Sequence, residues 1–214
     1  MKLKHHLSFL LLMIVLVTFS KTHASAFEDF FRAIERDDAA TVTALLRRGF
    51  DPNSRDAEGQ PALFLALRQP APAVAEALWA QPRLQVDAVN PHGETPLMMA
   101  ALRGNLPWMQ RLLERGAPVH RSGWAPIHYA ATGPEPQAVA LLLDRGAPVD
   151  ARSPNGTTPL MMAARYGSER SVELLVRRGA DLRLRNQREL SAADFAREAG
   201  REALARQLAV AAAR

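Results

Sequence analysis

Histidines are the residues of this chain whose type best supports chemistry, because imidazole serves both as a general base and as a metal ligand. His92, His120 and His128 lie in the body of the chain, and the other three precede residue 25. No acidic residue stands at a ligand-like spacing from them, and the chain contains no cysteine. We therefore predict no metal site and no catalytic histidine.

Two methionine pairs offer a second kind of chemistry. Met98-Met99 and Met161-Met162 flank His128 in the sequence, and thioether sulfur is a soft ligand that suits Cu(I). Methionine also fills irregular gaps in protein cores, and both pairs stand at helical positions that face a neighbouring element. Core packing is the simpler interpretation. A copper or oxidant buffer remains as an alternative function of a different class.

The sequence does not contain the residue patterns that usually accompany hydrolytic catalysis. Ser168, Ser171 and Ser191 stand at helix starts or turns, outside any G-x-S-x-G motif and without a companion histidine. The adjacent Asp37-Asp38 pair fits a helix cap, and the sequence has no phosphate-binding glycine loop. We predict no catalytic residue and no cofactor, so we expect a protein that is not an enzyme.

The element that must position these side chains is a two-helix unit, clearest over residues 156–183. Thr158-Pro159 begins its first helix, because a threonine hydroxyl caps free N–H groups and a proline at the first helical position gives up no needed donor. Gly167 ends that helix, and Gly179 follows the second one as a C-terminal cap glycine. Such a unit cannot bury its apolar face alone and needs stacked copies.

Copies of this unit recur along the chain with a period of about 33 residues. Leu97, Ile127 and Leu160 hold the same place in three successive copies. The glycines that follow the second helices repeat the same two intervals: Gly116, Gly146 and Gly179. Three further apolar residues extend the phase in both directions and give six units: Phe30, Leu63 and Ala193.

The repeated pattern has G-x-T-P-L opening one short helix, A-A near its end, and L-L-x-x-G-A ending a second helix. This pattern resembles the ankyrin repeat. The resemblance covers residues 27–214 and is strongest over residues 90–183. It implies an all-α solenoid of about six helix-turn-helix units with short β-hairpin-type loops.

The sequence departs from the ankyrin pattern in two places. The histidine that follows T-P-L in the pattern survives only as His128, and Met98 and Met161 replace it in the adjacent units. The second unit opens with Gly59-Gln60-Pro61-Ala62-Leu63. For His128 the resemblance implies an imidazole that hydrogen-bonds the backbone of neighbouring loops, and therefore a structural role.

The unbroken phase predicts one elongated domain behind a leader segment. Terminal repeats have one neighbour and need a more polar outer face, so we expect a capping unit at each end. The predicted segments are the leader, 1–26; the N-terminal capping unit, 27–53; four central units, 54–88, 89–121, 122–151 and 152–184; and the C-terminal capping unit, 185–214.

Residues 1–26 have the organisation of a secretory signal peptide. Lys2 and Lys4 form a cationic start, residues 7–19 are apolar, and Ala24-Ser25-Ala26 is a small-x-small cleavage signal before Phe27. The apolar run is short of the roughly 20 residues of a spanning helix. We therefore expect an exported protein with no membrane anchor after cleavage. In a bacterium the periplasm is its expected compartment, and secretion beyond it stays open.

Cleavage of the leader would leave a nearly balanced charge. Residues 27–214 hold 24 arginines against 22 acidic residues and no lysine, so their net charge is +2, against +5 for the whole chain. No run of like charges predicts a nucleic-acid-binding arm.

In an ankyrin-like stack, the loop before each G-x-T-P and the end of each first helix line a concave face. Trp, Tyr and Arg dominate interface hot spots, and guanidinium groups bind carboxylates in a bidentate way. We therefore predict a face that binds another protein, with arginines placed for an acidic segment of that partner. The predicted contact residues are Arg68, Arg103, Trp124, Arg165, Tyr166, His92 and Asn155. Whether Trp124 is exposed for binding or folds onto the stack stays open.

The ankyrin resemblance implies a non-catalytic protein-protein interaction module, or adaptor, in the bacterial envelope. Two narrower versions fit equally well: an immunity protein that blocks a periplasmic toxin, and a binder of a host protein if the chain leaves the cell. The sequence does not separate these versions.

Overall fold

The computed structural model describes residues 25–214, which form twelve helices in six consecutive pairs. The first helix, α1, is described over residues 25–35. The others, in chain order, are α2 Ala39–Arg47, α3 Ala62–Arg68, α4 Pro72–Trp79, α5 Pro96–Leu102, α6 Leu106–Glu114, α7 Pro126–Thr132, α8 Pro136–Asp144, α9 Pro159–Arg165, α10 Glu169–Arg177, α11 Ala192–Glu198 and α12 Glu202–Ala212.

The first helices begin where the Thr-Pro signals predict. The Thr95 and Thr158 side chains accept hydrogen bonds from the backbone N–H groups of Met98 and Met161, with proline at the first helical position of each helix. These caps satisfy donors that have no partner within the helix. Four second helices, α2, α6, α8 and α10, are followed by glycines in the left-handed region, such as Gly179 at φ +88°, which only glycine adopts without strain.

The helices stack in two rows. Neighbouring first helices pack against each other from α3 through α5, α7 and α9 to α11, and the second helices form another row in which α6 contacts α8 and α8 contacts α10. Alanine pairs at the ends of the first helices, such as Ala130-Ala131 and Ala163-Ala164, are fully buried. Their small side chains let the first helices approach closely, so one apolar core runs through the described chain.

The loops between pairs are short hairpin-like turns in a repeated register. Four of them close through the same backbone hydrogen bond, with N···O distances between 2.9 and 3.1 Å: Asp56 to Gln60, Asn90 to Glu94, Ser153 to Thr157, and Asn186 to Leu190. The first also forms an antiparallel bridge between Arg55 and Pro61. The predicted all-α solenoid with hairpin-type loops is therefore confirmed.

Trp79, near the end of α4, lies at the edge of the core. It is half-buried, and its ring meets Trp108 edge-on at 5.3 Å between centroids. Arg111 lies over both rings and forms an ion pair with Glu76. Cation–π contact with a stacked guanidinium favours this half-exposed position on the row of second helices.

The predicted signal peptide lies outside the described residues except for its last two positions, 25 and 26. Within residues 25–214, every helix is too short or too polar to cross a bilayer.

Candidate functional site

The ends of the first helices bring a set of side chains to one surface, which we call the first-helix face. The register follows from the repeat, because Arg68, Leu102, Thr132 and Arg165 are the last residues of α3, α5, α7 and α9. Because these helices pack against one another in that order, their ends lie side by side. The first-helix face comprises Arg68, Leu102, Arg103, Trp124, Tyr129, Thr132, Met162, Arg165 and Tyr166.

A cleft of about 260 Å³ lies in the middle of this face. It spans three consecutive units, because its walls come from the end of α5, from α7 with its preceding loop, and from α9. The lining residues are Leu102, Trp124, His128, Tyr129, Thr132 and Met162.

His128 forms the floor of the cleft and has no unsatisfied ring nitrogen. Its Nδ1 accepts a hydrogen bond from the Ala125 N–H at 3.1 Å, and its Nε2 faces the carbonyl oxygens of Ala151 and Thr157 at 3.0 and 3.1 Å. Two acceptors at Nε2 place the proton on that nitrogen. Burial lowers the pKa of His128, so the ring is neutral. The backbone-binding role that the ankyrin resemblance implied is the one observed.

The other polar groups of the cleft are also engaged within the chain. The Tyr129 hydroxyl donates to a Glu94 carboxylate oxygen at 2.9 Å, and the Thr132 hydroxyl donates to the His128 carbonyl at 2.8 Å. Burial and the Glu94 carboxylate raise the pKa of Tyr129, so the phenol keeps its proton. What the cleft presents outward is therefore mainly apolar.

Trp124 combines the two alternatives left open by the sequence. Its ring packs edge-on against His128, with centroids 5.2 Å apart and planes at 77°. It is half-buried and still forms part of the cleft wall. The tryptophan is thus anchored on the stack and remains accessible from the first-helix face.

The three arginines of the predicted face occupy two different environments. Arg165 donates to a Glu198 carboxylate oxygen at 2.6 Å and lies over the rings of Tyr166 and Phe195. Arg103 donates to the Arg68 carbonyl at 2.6 Å. Both Arg68 and Arg103 are exposed, and within residues 25–214 neither lies within 4 Å of a carboxylate.

His92 and Asn155 lie in hairpin loops outside the cleft lining. The His92 N–H donates to Asn90 Oδ1 at 2.9 Å, and its side chain is exposed. Asn155 Oδ1 accepts from the Ser153 hydroxyl and the Thr157 N–H. Asn155 therefore organises its own turn, and neither residue lines the cleft.

Tyr129, Thr132 and Met162 are cleft residues that our sequence prediction of the site omitted. A usable signal existed. Thr132 has the same repeat position as Arg68 and Arg165, and Tyr129 and Met162 occupy equivalent positions in successive units. The prediction selected charged and large aromatic residues at those positions and overlooked the apolar ones between them.

Comparisons with known proteins agree with the repeat architecture. A family model described as ankyrin repeats in three copies matches residues 30–122 and 110–186. The chain belongs to the ankyrin-repeat family. It is similar to mouse B-cell lymphoma 3 protein homolog (33% identity over 152 residues, 68% of this chain and 34% of that protein). It also matches human neurogenic locus notch homolog protein 4 (44% identity over 93 residues, 42% of this chain and 5% of that protein). The chain thus spans about a third or less of these two relatives.

The alignment with one solved structure extends over a larger share of this chain than the alignments with these two relatives. One chain of the complex "Bd0816 Predatory Endopeptidase from Bdellovibrio bacteriovorus in complex with immunity protein Bd3460" aligns with a TM-score of 0.71 and 25% identity. The alignment covers 85% of this chain and 97% of that chain.

The methionine pairs of the ankyrin repeats lie mostly in the core. Met98, Met99 and Met161 are at most 4% exposed, and the Met161 sulfur accepts a hydrogen bond from the Thr158 N–H at 3.4 Å. Met162 alone of the four is half-buried, at the cleft. Within residues 25–214, no three or more His, Cys, Asp or Glu side chains are grouped as metal ligands.

We expect the melting temperature to fall as the pH is lowered from about 6.5 to about 5.5, because His128 must stay neutral in the fold. Its folded-state pKa is below the usual 6.5. At pH values between the folded-state pKa and about 6.5, the unfolded chain therefore binds a proton that the folded chain does not. The linked stability is complete above about pH 6.5 and is lost as the pH falls toward the folded-state pKa.

Thermal melts of the wild type and of a His128→Met variant check this pH dependence. The variant should be markedly less sensitive to pH over the same interval. Asp194 does not interfere, because hydrogen bonds from Ser191 lower its pKa to about 2 and its contribution is lost only below about pH 4. Equal pH dependence in the two proteins would assign the effect to another group.

Proposed function

We propose that this ankyrin-repeat chain is a non-catalytic module that binds another protein on its first-helix face. The observation that carries the proposal is the apolar cleft bordered by Trp124 and by the exposed pair Arg68 and Arg103. Proteins of this family are interaction modules. The stacked helices support the site rigidly, so little ordering entropy is lost when a partner docks.

A non-catalytic role agrees with the chemistry of the cleft. Both His128 nitrogens are committed to backbone groups, and Tyr129 is held protonated beside Glu94. A general base needs a free lone pair near the substrate at working pH. The cleft residues offer apolar contact instead of proton transfer.

The compartment is part of the same proposal. The pattern of residues 1–26 supports export through a cleaved signal peptide, and the compartment proposed on that basis is the periplasm of a bacterium or the outside of the cell. Its partner would then be an envelope or secreted protein, and nucleic acid is not among the proposed partners.

An immunity protein is the second candidate, and one observation favours it. The similar solved structure is a complex of an immunity protein with an endopeptidase. If this chain acts in that way, it inhibits an envelope hydrolase; an adaptor would leave its partner active. Assaying the captured partner's hydrolytic activity with and without the chain separates the two candidates.

A crosslinking pull-down tests the binding proposal. The full chain, tagged at its C terminus and recovered from its own cells, serves as bait beside a Trp124→Ala, Arg103→Glu variant. Arg145→Glu is the matched control, because Arg145 is exposed at the end of a second helix, away from the face. All three baits need equal melting temperatures.

We expect one partner captured by the wild type and by Arg145→Glu, and reduced at least about tenfold with the face variant, as for hot-spot residues. A partner retained equally by all three baits would place the binding surface elsewhere. Absence of any specific partner in envelope and secreted fractions would count against the module itself.

A further inference from the structure

The central cleft has the size and the chemistry of a socket for a single side chain. At about 260 Å³ it is smaller than the roughly 300–1,000 Å³ of typical small-molecule sites. Its hydroxyls and imidazole are already hydrogen-bonded inside the chain. A polar ligand would find few free partners, whereas an apolar side chain would gain contact with Leu102 and Met162 at no desolvation cost to those groups.

The arginines around the cleft differ in whether their charge is compensated. At one rim, Arg103 follows Leu102 directly and lies beside Arg68, and within residues 25–214 no carboxylate pairs with either. At the opposite rim the Arg165 charge is compensated by Glu198. Among the arginines of the face, Arg103 and Arg68 are therefore the ones left to pair with an acidic group of a bound segment. The Glu94 carboxylate, which holds the Tyr129 hydroxyl at 2.9 Å, disfavours such a group next to Tyr129.

The acidic part of such a segment must be short. Beyond Arg68 the surface continues into a depression that is lined by Glu35, Asp56 and Glu58 as well as by Phe27 and Phe31. A long acidic run that extended past Arg68 would meet these carboxylates and be repelled. One or two acidic residues next to the anchor match the charges of this surface.

From these observations we propose that the cleft receives one aromatic or leucine side chain from a partner protein, with an adjacent Asp or Glu of that partner paired to Arg103 and Arg68. This inference rests on the proposed function and specifies the partner's chemistry. It narrows the acidic segment expected from the sequence to a short acidic flank beside an apolar anchor.

A displayed library of random peptides, each about a dozen residues long, is the probe that tests this motif. Selection is carried out on the full chain, and enriched peptides are synthesised for fluorescence anisotropy against matched variants. Met162→Glu places a negative charge in the cleft wall, and Arg103→Glu reverses the charge at the rim of the cleft. Val210→Glu, at an exposed apolar residue of α12, is the control, and Met162→Gln keeps the cleft uncharged if the glutamate variant melts early.

We expect the enriched peptides to share a Phe, Trp or Leu with an Asp or Glu within a few positions. Met162→Glu should weaken them at least about tenfold, as loss of a buried anchor does. Arg103→Glu should weaken them about fivefold, which is the upper range for an exposed ion pair, and this contribution should shrink at high salt. Val210→Glu should leave affinity unchanged.

Several outcomes would overturn the motif: no enrichment, peptides without an apolar anchor, basic peptides, or equal affinity for Met162→Glu and wild type. A dimer of this chain that Met162→Glu abolishes would assign the cleft to a second copy. If the pull-down yields a partner that the face variant loses while the library shows no such motif, the proposed function stands and this inference fails. If the library yields motif peptides but the pull-down yields no partner, the inference about the cleft stands and the proposed cellular function fails.

Discussion

We expect the His128→Ala variant to lose about 4 kcal/mol of unfolding free energy, close to half of what a typical domain possesses. The imidazole is fully buried and joins three backbone groups, those of Ala125, Ala151 and Thr157. Alanine would leave a cavity and buried polar groups without partners, and each unsatisfied group costs about 1–3 kcal/mol.

The position of His128 enlarges the effect. It lies in α7, which packs against both α5 and α9. Stability of a repeat array is approximately a sum of unit and interface terms, so damage in this central unit weakens both of its interfaces. Urea unfolding followed by circular dichroism measures the loss.

His128→Met is the matched variant, because methionine occupies the equivalent places at Met98 and Met161. A methionine at 128 fills most of the volume, and its sulfur can accept from the Ala125 N–H as Met161 accepts from Thr158. Only the two carbonyl groups then lose their partner, and we expect a cost of about 2 kcal/mol. Equal stability of His128→Met and wild type would show that the hydrogen bonds contribute nothing net.

Gly167→Ala should destabilise the fold by about 3 kcal/mol, at the upper end of overpacking costs. A Cβ at this position would lie 2.2 Å from the Ala131 carbonyl oxygen and 3.0 Å from the Ala163 Cα. These are backbone atoms of α7 and α9, so no rotamer change relieves the clash. The two units must separate, which also disturbs the cleft that they share.

Gly200→Ala provides the control for Gly167→Ala, since Gly200 holds the equivalent place in the next unit. Its φ is +72°, and nothing lies within 4 Å of an added Cβ. Alanine there meets only the strain of the left-handed region, about 1 kcal/mol. Urea unfolding of both variants compares the two costs. A loss at Gly167 no larger than the loss at Gly200 would contradict the proposed backbone clash.

The sequence predicted the fold well because its signals are local and repeated. Thr158-Pro159 and Gly179 each set a helix boundary through their own backbone chemistry, and the structure places boundaries where these residues stand. The regular repeat then required stacking, because a single unit cannot cover its apolar face. His128 was likewise assigned a structural role from its place in the pattern.

The sequence located the candidate surface only in part. Trp124 and the arginines were identified because their types dominate interfaces, yet nothing in the pattern predicted that Arg165 would pair with Glu198 while Arg103 would not pair with an acid. The cleft residues Tyr129 and Met162 were not predicted as surface residues, because the prediction favoured charged and large aromatic residues and assigned the methionine pairs to the core.

The sequence by itself determined the helix pairs, their caps and the order of stacking, since these depend on residues within one unit. Only the tertiary structure decided which charges are compensated and where the apolar cleft opens. The contacts that settle both join neighbouring units, such as Arg165 to Glu198 and Tyr129 to Glu94. Such pairings depend on how each unit is rotated and spaced against the next, and the repeat period alone does not contain that information.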